Sequence, residues 1–162
     1  MKKSAAGNTS TAKSIARTRH ATVVFNDRMW ILGGREPSTS LEFGTFLNDV
    51  RCSEDGVTWT CVTSRAAWGP RMDHSAVAFN GRIWIMGGTY FSYAAGAQGY
   101  CADVWSSADG ANWAYHGNAP WGRRALMGAA VHGGRIYVIA GNSGTIVYRN
   151  DVWSTADGSS WA

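Results

Sequence analysis

The side chains able to do chemistry in this chain are few, and most of them recur at fixed intervals. Its four histidines, His20, His74, His116 and His132, are spread along the sequence, and no GxSxG, HExxH or HxE arrangement surrounds them. Metal-assisted hydrolysis or nucleophilic catalysis would need such residues clustered. The carboxylates Asp49, Asp103 and Asp151 are each followed six positions later by Asp55, Asp109 and Asp157. Acid–base catalysis uses an asymmetric pair, so carboxylates repeated in register point to turn capping and hydrogen bonding between repeats. Neither a catalytic set nor a metal or cofactor site is expected.

Arginine, histidine and aromatic residues form the more informative set. Arg17 with His20, Arg71 with His74, and Arg124 open equivalent segments, and Trp68 and Trp121 precede the last two. Tyr90 and Tyr93 stand in a long connection between them. Guanidinium groups beside aromatic walls suit carboxylates, acidic peptides or sugars, through charge-assisted forks and stacking. The competing reading is structural, with Arg and His holding neighbouring repeats and loops together.

Cys52, Cys61 and Cys101 are odd in number and lack CxxC spacing, so neither a zinc site nor a disulfide framework is signalled. Cys52 and Cys61 flank a turn but fall diagonally in the simplest hairpin register, too far apart for a bridge.

Composition narrows the function classes. The formal charge is +4, but five basic residues (Lys2, Lys3, Lys13, Arg17 and Arg19) lie in the first 19 positions with no acid among them. The rest, with ten basic against 11 acidic residues, is near neutral, which argues against a nucleic-acid surface. No apolar run reaches the roughly 18–20 residues of a membrane helix, and the N-terminal stretch has no signal-peptide apolar region, so no membrane partner and a cytoplasmic location are expected.

The positioning elements come from an internal repeat. RTRHATVVFNDRMWILGG (17–34) returns as RMDHSAVAFNGRIWIMGG (71–88) at an offset of 54 and as RALMGAAVHGGRIYVIAG (124–141) at 53. Downstream of each lies DVRCSEDGVTW (49–59), DVWSSADGANW (103–113) or DVWSTADGSSW (151–161), and AAWGPR and APWGRR join one copy to the next. Apolar runs broken by Asn80-Gly81 and Asp109-Gly110 predict four antiparallel strands per copy, the turn dipeptides being those that accept positive φ. Large aromatics at Trp30, Trp84 and Tyr137, and at Trp59, Trp113 and Trp161, are placed to fill the gaps between copies.

These residues resemble the kelch-repeat β-propellers, the broad group that includes the galactose-oxidase central domain: an R..H opening, an apolar strand closing on Gly-Gly, and a fourth-strand Trp. The resemblance covers residues 17–162. The third copy departs from the pattern, with Met127 in place of His, Ala140 in place of the first Gly, and His132 in place of Phe. The implied fold is all-β: three four-stranded antiparallel blades at 17–70, 71–123 and 124–162, the last with its fourth strand truncated, preceded by a basic arm at 1–16.

Propellers close with about four to eight blades. The reading adopted is half of a six-bladed ring, completed head to tail by a second copy, the arm around Ala5–Thr9 supplying the missing strand. Two rims follow from the meander. One carries short turns. The other gathers the connections 35–48, 89–102 and 142–150, with Phe43, Phe46, Tyr90, Phe91, Tyr93, Tyr100, Trp68 and Trp121, and is the expected binding rim. The function expected is a non-catalytic binding or protein-interaction module. One alternative is a carbohydrate-processing enzyme similar to the kelch-type sialic acid mutarotase, favoured by a lone carboxylate such as Glu36 or Glu42 near Arg71 and Arg124. Another is a fragment or engineered piece without a specific ligand.

Overall fold

The computed structural model describes residues 16–37, 44–92, 94–144 and 146–162. Their strands are all antiparallel. Blade one is the meander β1 (Ala21–Phe25), β2 (Arg28–Arg35), β3 (Phe46–Ser53) and β4 (Thr60–Thr63), in that spatial order. In blade two, β5 (Ser75–Phe79), β6 (Arg82–Met86), β9 (Asp103–Ser107) and β10 (Ala114–Asn118) repeat it. Blade three has β11 (Gly128–His132), β12 (Arg135–Asn142) and β13 (Tyr148–Thr155), and Ala162 exchanges two backbone hydrogen bonds with Ser154. Ala114 pairs with Ser106 at the same place in blade two, so Ala162 stands where a fourth strand opens. The closing strand expected from Ala5–Thr9, and the rest of the arm before residue 16, lie outside the described residues.

Turn chemistry sets the strand order. Asn26-Asp27, Asn80-Gly81 and Gly133-Gly134 all have positive φ at both positions, the geometry of the two-residue turn whose twist matches paired strands. At the other turn, the Asp55 carboxylate accepts the amides of Val57 and Thr58, and the Ser53 hydroxyl accepts that of Gly56. Asp109 and Asp157 repeat the cap. These amide donors hold the Asp55 carboxyl down at about 2.

One element is absent from the sequence expectation. The 89–102 connection, read above as a loop, contains a further hairpin, β7 (Thr89–Ser92) paired with β8 (Ala97–Tyr100). It extends the β6–β9 pair beyond Gly87-Gly88. No Asn-Gly or Asp-Gly marks its turn, and its alternation is broken by small residues.

The apolar core lies between blades. Phe25, Trp30, Leu32, Val50 and Trp68 of blade one share a cluster with Ile83, Ile85, Trp105 and Trp113 of blade two. Val77, Phe79, Trp84, Met86 and Val104 of blade two share the next with Ile136, Val138, Trp153 and Trp161 of blade three. Strand β6 thus buries Ile83 and Ile85 on one face and Trp84 and Met86 on the other, the period-two alternation of a strand covered on both sides. The indole N–H groups of Trp30 and Trp84 donate to Phe25 O and Phe79 O, so these rings are buried without an orphaned donor.

Each junction is also bonded through the backbone. The Gly34 N–H donates to Arg71 O at 2.8 Å and the Gly88 N–H to Arg124 O at 2.9 Å. In return the Arg71 N–H donates to Leu47 O and the Arg124 N–H to Cys101 O, both at 3.0 Å. Asp73 N–H donates to Arg19 O and Leu126 N–H to Asp73 O, each at 2.9 Å. Gly34 and Gly88 have φ of +98° and +104°, and a Cβ on either would meet a carbonyl at 2.8 Å. That crowding is the physical reason for the second glycine of the pair.

Candidate functional site

The repeated arginines are held inside their own blades. Arg71, 3% exposed, forks onto the two Asp103 carboxylate oxygens at 2.7 Å each and donates to Gly87 O. Arg17 does the same with Asp49 and Gly33 O, and Arg124 with Asp151 and Ala140 O. The partner aspartates sit on the third strand of the same blade, so their side chains bond within a blade rather than between repeats. Burial pushes the Asp103 carboxyl up, but the hydrogen bonds and charge of Arg71, with the Trp105 N–H, hold it below the usual range.

Of the histidines, His74 is buried, His20 is half-buried, and His116 and His132 are exposed. His74 packs against Trp68 at 5.8 Å between ring centroids, and neither ring nitrogen has a hydrogen-bond partner. Complete burial, then the charges of Arg71 and His20, push its pKa down to about 3, so it is neutral in the fold. His20 is lowered as well, first by partial burial and then by Arg17. Trp68 and Trp121 are buried, and each meets edge-on the indole that follows an Asp-Gly turn: Trp113 at 5.7 Å and Trp161 at 4.4 Å. Of the expected rim residues, Arg17, Trp68, His74, Trp121 and Arg124 are therefore held in packing and internal pairing, and His20 is half-buried beside Arg17. Tyr93, Phe43 and Glu42 lie outside the described residues. Glu36 is exposed, at the start of the 36–45 connection.

Arg71 and Tyr90 do come together, at a cleft on the long-loop rim between blades one and two. Thr45, Phe46, Gly69, Pro70, Phe91 and Cys101 complete its wall, around a volume of about 470 Å³. Three elements position it: the start of β3, the Trp-Gly-Pro-Arg connection and the extra β7–β8 hairpin. Phe46 and Phe91 stack across it with ring centroids 6.4 Å apart. Its lining is mainly apolar, and the edge of the Arg71 guanidinium is already neutralised by Asp103. Partial burial raises the Cys101 thiol pKa.

A second cleft of about 320 Å³ shares Tyr90 and Cys101 with the first and is lined by Tyr100, Trp105, Tyr115, Asn118 and Arg123. The sequence placed Phe46, Phe91 and Tyr100 on the long-loop rim, and in the structure they line these two clefts. Pro70, on the Trp-Gly-Pro-Arg connection, Cys101, just after β8, and Tyr115, on β10, are lining residues that the sequence did not single out.

The repeats find relatives consistent with this architecture. A family described as the kelch motif matches residues 123–154. Alpha-scruin of Limulus polyphemus is 35% identical over 74 residues, which make up 45% of this chain and 7% of that protein. The structure of YjhT superposes with a TM-score of 0.66 at 16% identity, over 85% of this chain and 41% of that one. This chain thus spans well under half the length of either, and the second likeness speaks to the fold alone. Repeat register, the motif match at residues 123–154 and the shared architecture agree on the fold: three kelch-like propeller blades.

Proposed function

We propose that this protein is a binding module that takes an aromatic or aliphatic side chain of a peptide segment into the cleft between blades one and two. The observation that carries the reading is the stacked Phe46–Phe91 pair in the wall of an apolar hollow of about 470 Å³, a volume suited to a small ligand group. Rigid strands fix the floor, so little ordering is required on binding. The exposed Arg123 guanidinium in the adjoining cleft would favour an acidic residue flanking the apolar anchor. Because Arg71 and Arg124 are already paired, selectivity would come from shape and apolar contact more than from a ring of free cations.

A sugar is the second reading, favoured by the adjoining cleft, where Tyr100, Trp105 and Tyr115 offer ring faces beside Asn118 and Arg123.

The test is selection from a random peptide display library, followed by titration of the selected peptides. Enriched peptides should carry an aromatic or large aliphatic residue, and Phe91→Ala should weaken them at least about tenfold, the cost of one buried anchor. Ile146→Ser, on another exposed loop, should leave affinity unchanged. Peptides indifferent to Phe91→Ala and Phe46→Ala would refute the cleft. Glycan-array binding abolished by Tyr115→Ala, with no peptide selected, would favour the sugar instead.

A further inference from the structure

The two outer faces of the described blades are the two halves of a junction that the chain already forms twice. On blade three, Tyr137, Ile139 and Val152 occupy the places held by Trp84, Met86 and Val104 in blade two and by Trp30, Leu32 and Val50 in blade one. Met86 and Leu32 are fully buried at their junctions, whereas Ile139 is 42% and Val152 56% exposed. On blade one, Val24, Met29 and Trp59 take the places of Ala78, Ile83 and Trp113. Val24 is 68% exposed, and these residues line, with Thr22 and Ile31, an apolar hollow of about 460 Å³.

The contacts extend the match. Trp30 lies on Gly110 and Trp84 on Gly158, each in an Asp-Gly turn of the following blade. One more step would bring Tyr137 onto Gly56, where a Cβ would meet only the Met29 side chain, at 3.3 Å. Carried on by the same offsets, the junction bonds of the chain would run between copies from Gly141 N–H to Arg17 O, from Arg17 N–H to Arg149 O, and from Arg19 N–H to Leu126 O. Arg19, Asp73 and Leu126 share one backbone conformation, with φ of 58°, 58° and 57°, so blade one presents the same left-handed kink that the other two blades use at their junctions.

We infer that blade three of one chain docks on blade one of a second copy, at two identical junctions related by a two-fold axis. The occupant is argued from continuity: each face requires the side chains and backbone groups displayed at the opposite end of this same chain, already in register. Two copies supply six blades, within the roughly four to eight that close a propeller, and a head-to-tail contact that closes in two steps leaves no face open. The inference does not depend on the peptide cleft.

The test is light scattering on a size-exclusion column with the full 162-residue chain. The expected mass is twice the 17.5 kDa of one chain. Val24→Glu and Ile139→Glu should each give a species of one chain's mass with unchanged circular dichroism, and mixing them should restore a two-chain species through the one junction left intact. Should Ile139→Glu lose its fold, Val152→Glu replaces it on blade three, and should Val24→Glu lose its fold, Met29→Glu replaces it on blade one. A wild-type mass of 17.5 kDa, a mass beyond two copies, or a dimer that survives Val24→Glu would overturn the inference. The last result would mean that blade three pairs with its own copy.

Discussion

Trp30 lies so close against Gly110 that a single methyl group added there would overlap its indole ring, and Trp84 stands in the same relation to Gly158. Each tryptophan reaches from one blade into the Asp-Gly turn of the next, so the turn glycine is required twice, for its φ of +77° or +80° and for its missing side chain. Gly110→Ala is expected to cost about 2–4 kcal/mol, combining left-handed strain with overpacking. Gly81→Ala, at φ +68° with nothing within 4 Å, should cost only about 1–2 kcal/mol. Urea denaturation of both variants separates the two contributions.

The buried forks predict graded losses. Asp103→Ala strands the Arg71 guanidinium, which is 3% exposed, and should destabilise by about 3–5 kcal/mol. Asp151→Ala should cost less, because the Asp151 side chain is 37% exposed and water can reach the vacated end of Arg124. Equal losses in urea denaturation would contradict the burial argument.

His74 makes stability depend on pH. Its folded pKa, pushed down to about 3, lies below the ordinary 6.5, so the unfolded chain binds the extra proton. Its contribution is complete above pH 6.5 and is lost progressively as pH falls toward 3, by several kcal/mol at most, at about 1.4 kcal/mol per unit. The lowered Asp55 carboxyl acts in the same direction, but below pH 4. His74→Met, which borrows the residue blade three uses at this place, should flatten the fall between pH 6.5 and 4. An unchanged slope would place the proton uptake elsewhere.

The three free thiols should react in a fixed order. Cys61 is exposed, Cys101 half-buried with a raised pKa, and Cys52 buried. A thiol reagent should label Cys61 first and Cys101 slowly, with Cys52 last. A selected peptide in the cleft should slow Cys101 further and leave the Cys61 rate unaltered. Labelling followed by peptide mapping reads all three.

The architecture was legible because the repeat constrains the same residues three times: Asn80-Gly81 names a turn, and Trp30, Trp84 and Tyr137 name a face. The chemistry of Arg71 was legible only as a pair of alternatives. A guanidinium on a rim and one locked to Asp103 have the same sequence, and the choice between them depends on which side of β9 faces the segment before β5. The β7–β8 hairpin was hidden because its pairing is set by continuation from β6 and β9 rather than by its own turn residues. The cleft, assembled from three segments far apart in sequence, was therefore visible only as the expectation that Phe46, Tyr90 and Phe91 share a rim.

The account rests on one blade junction used repeatedly, and hydrogen exchange read residue by residue on the 162-residue chain in solution tests it most directly. The amides of Gly141, Arg17 and Arg19 should be protected comparably to those of Gly88, Arg71 and Asp73, which are bonded across junctions within the chain. The protection of the first three should vanish in Val24→Glu while that of the second three persists. Rapid exchange at Gly141, Arg17 and Arg19 in the wild type, beside slow exchange at Gly88, Arg71 and Asp73, would contradict the account.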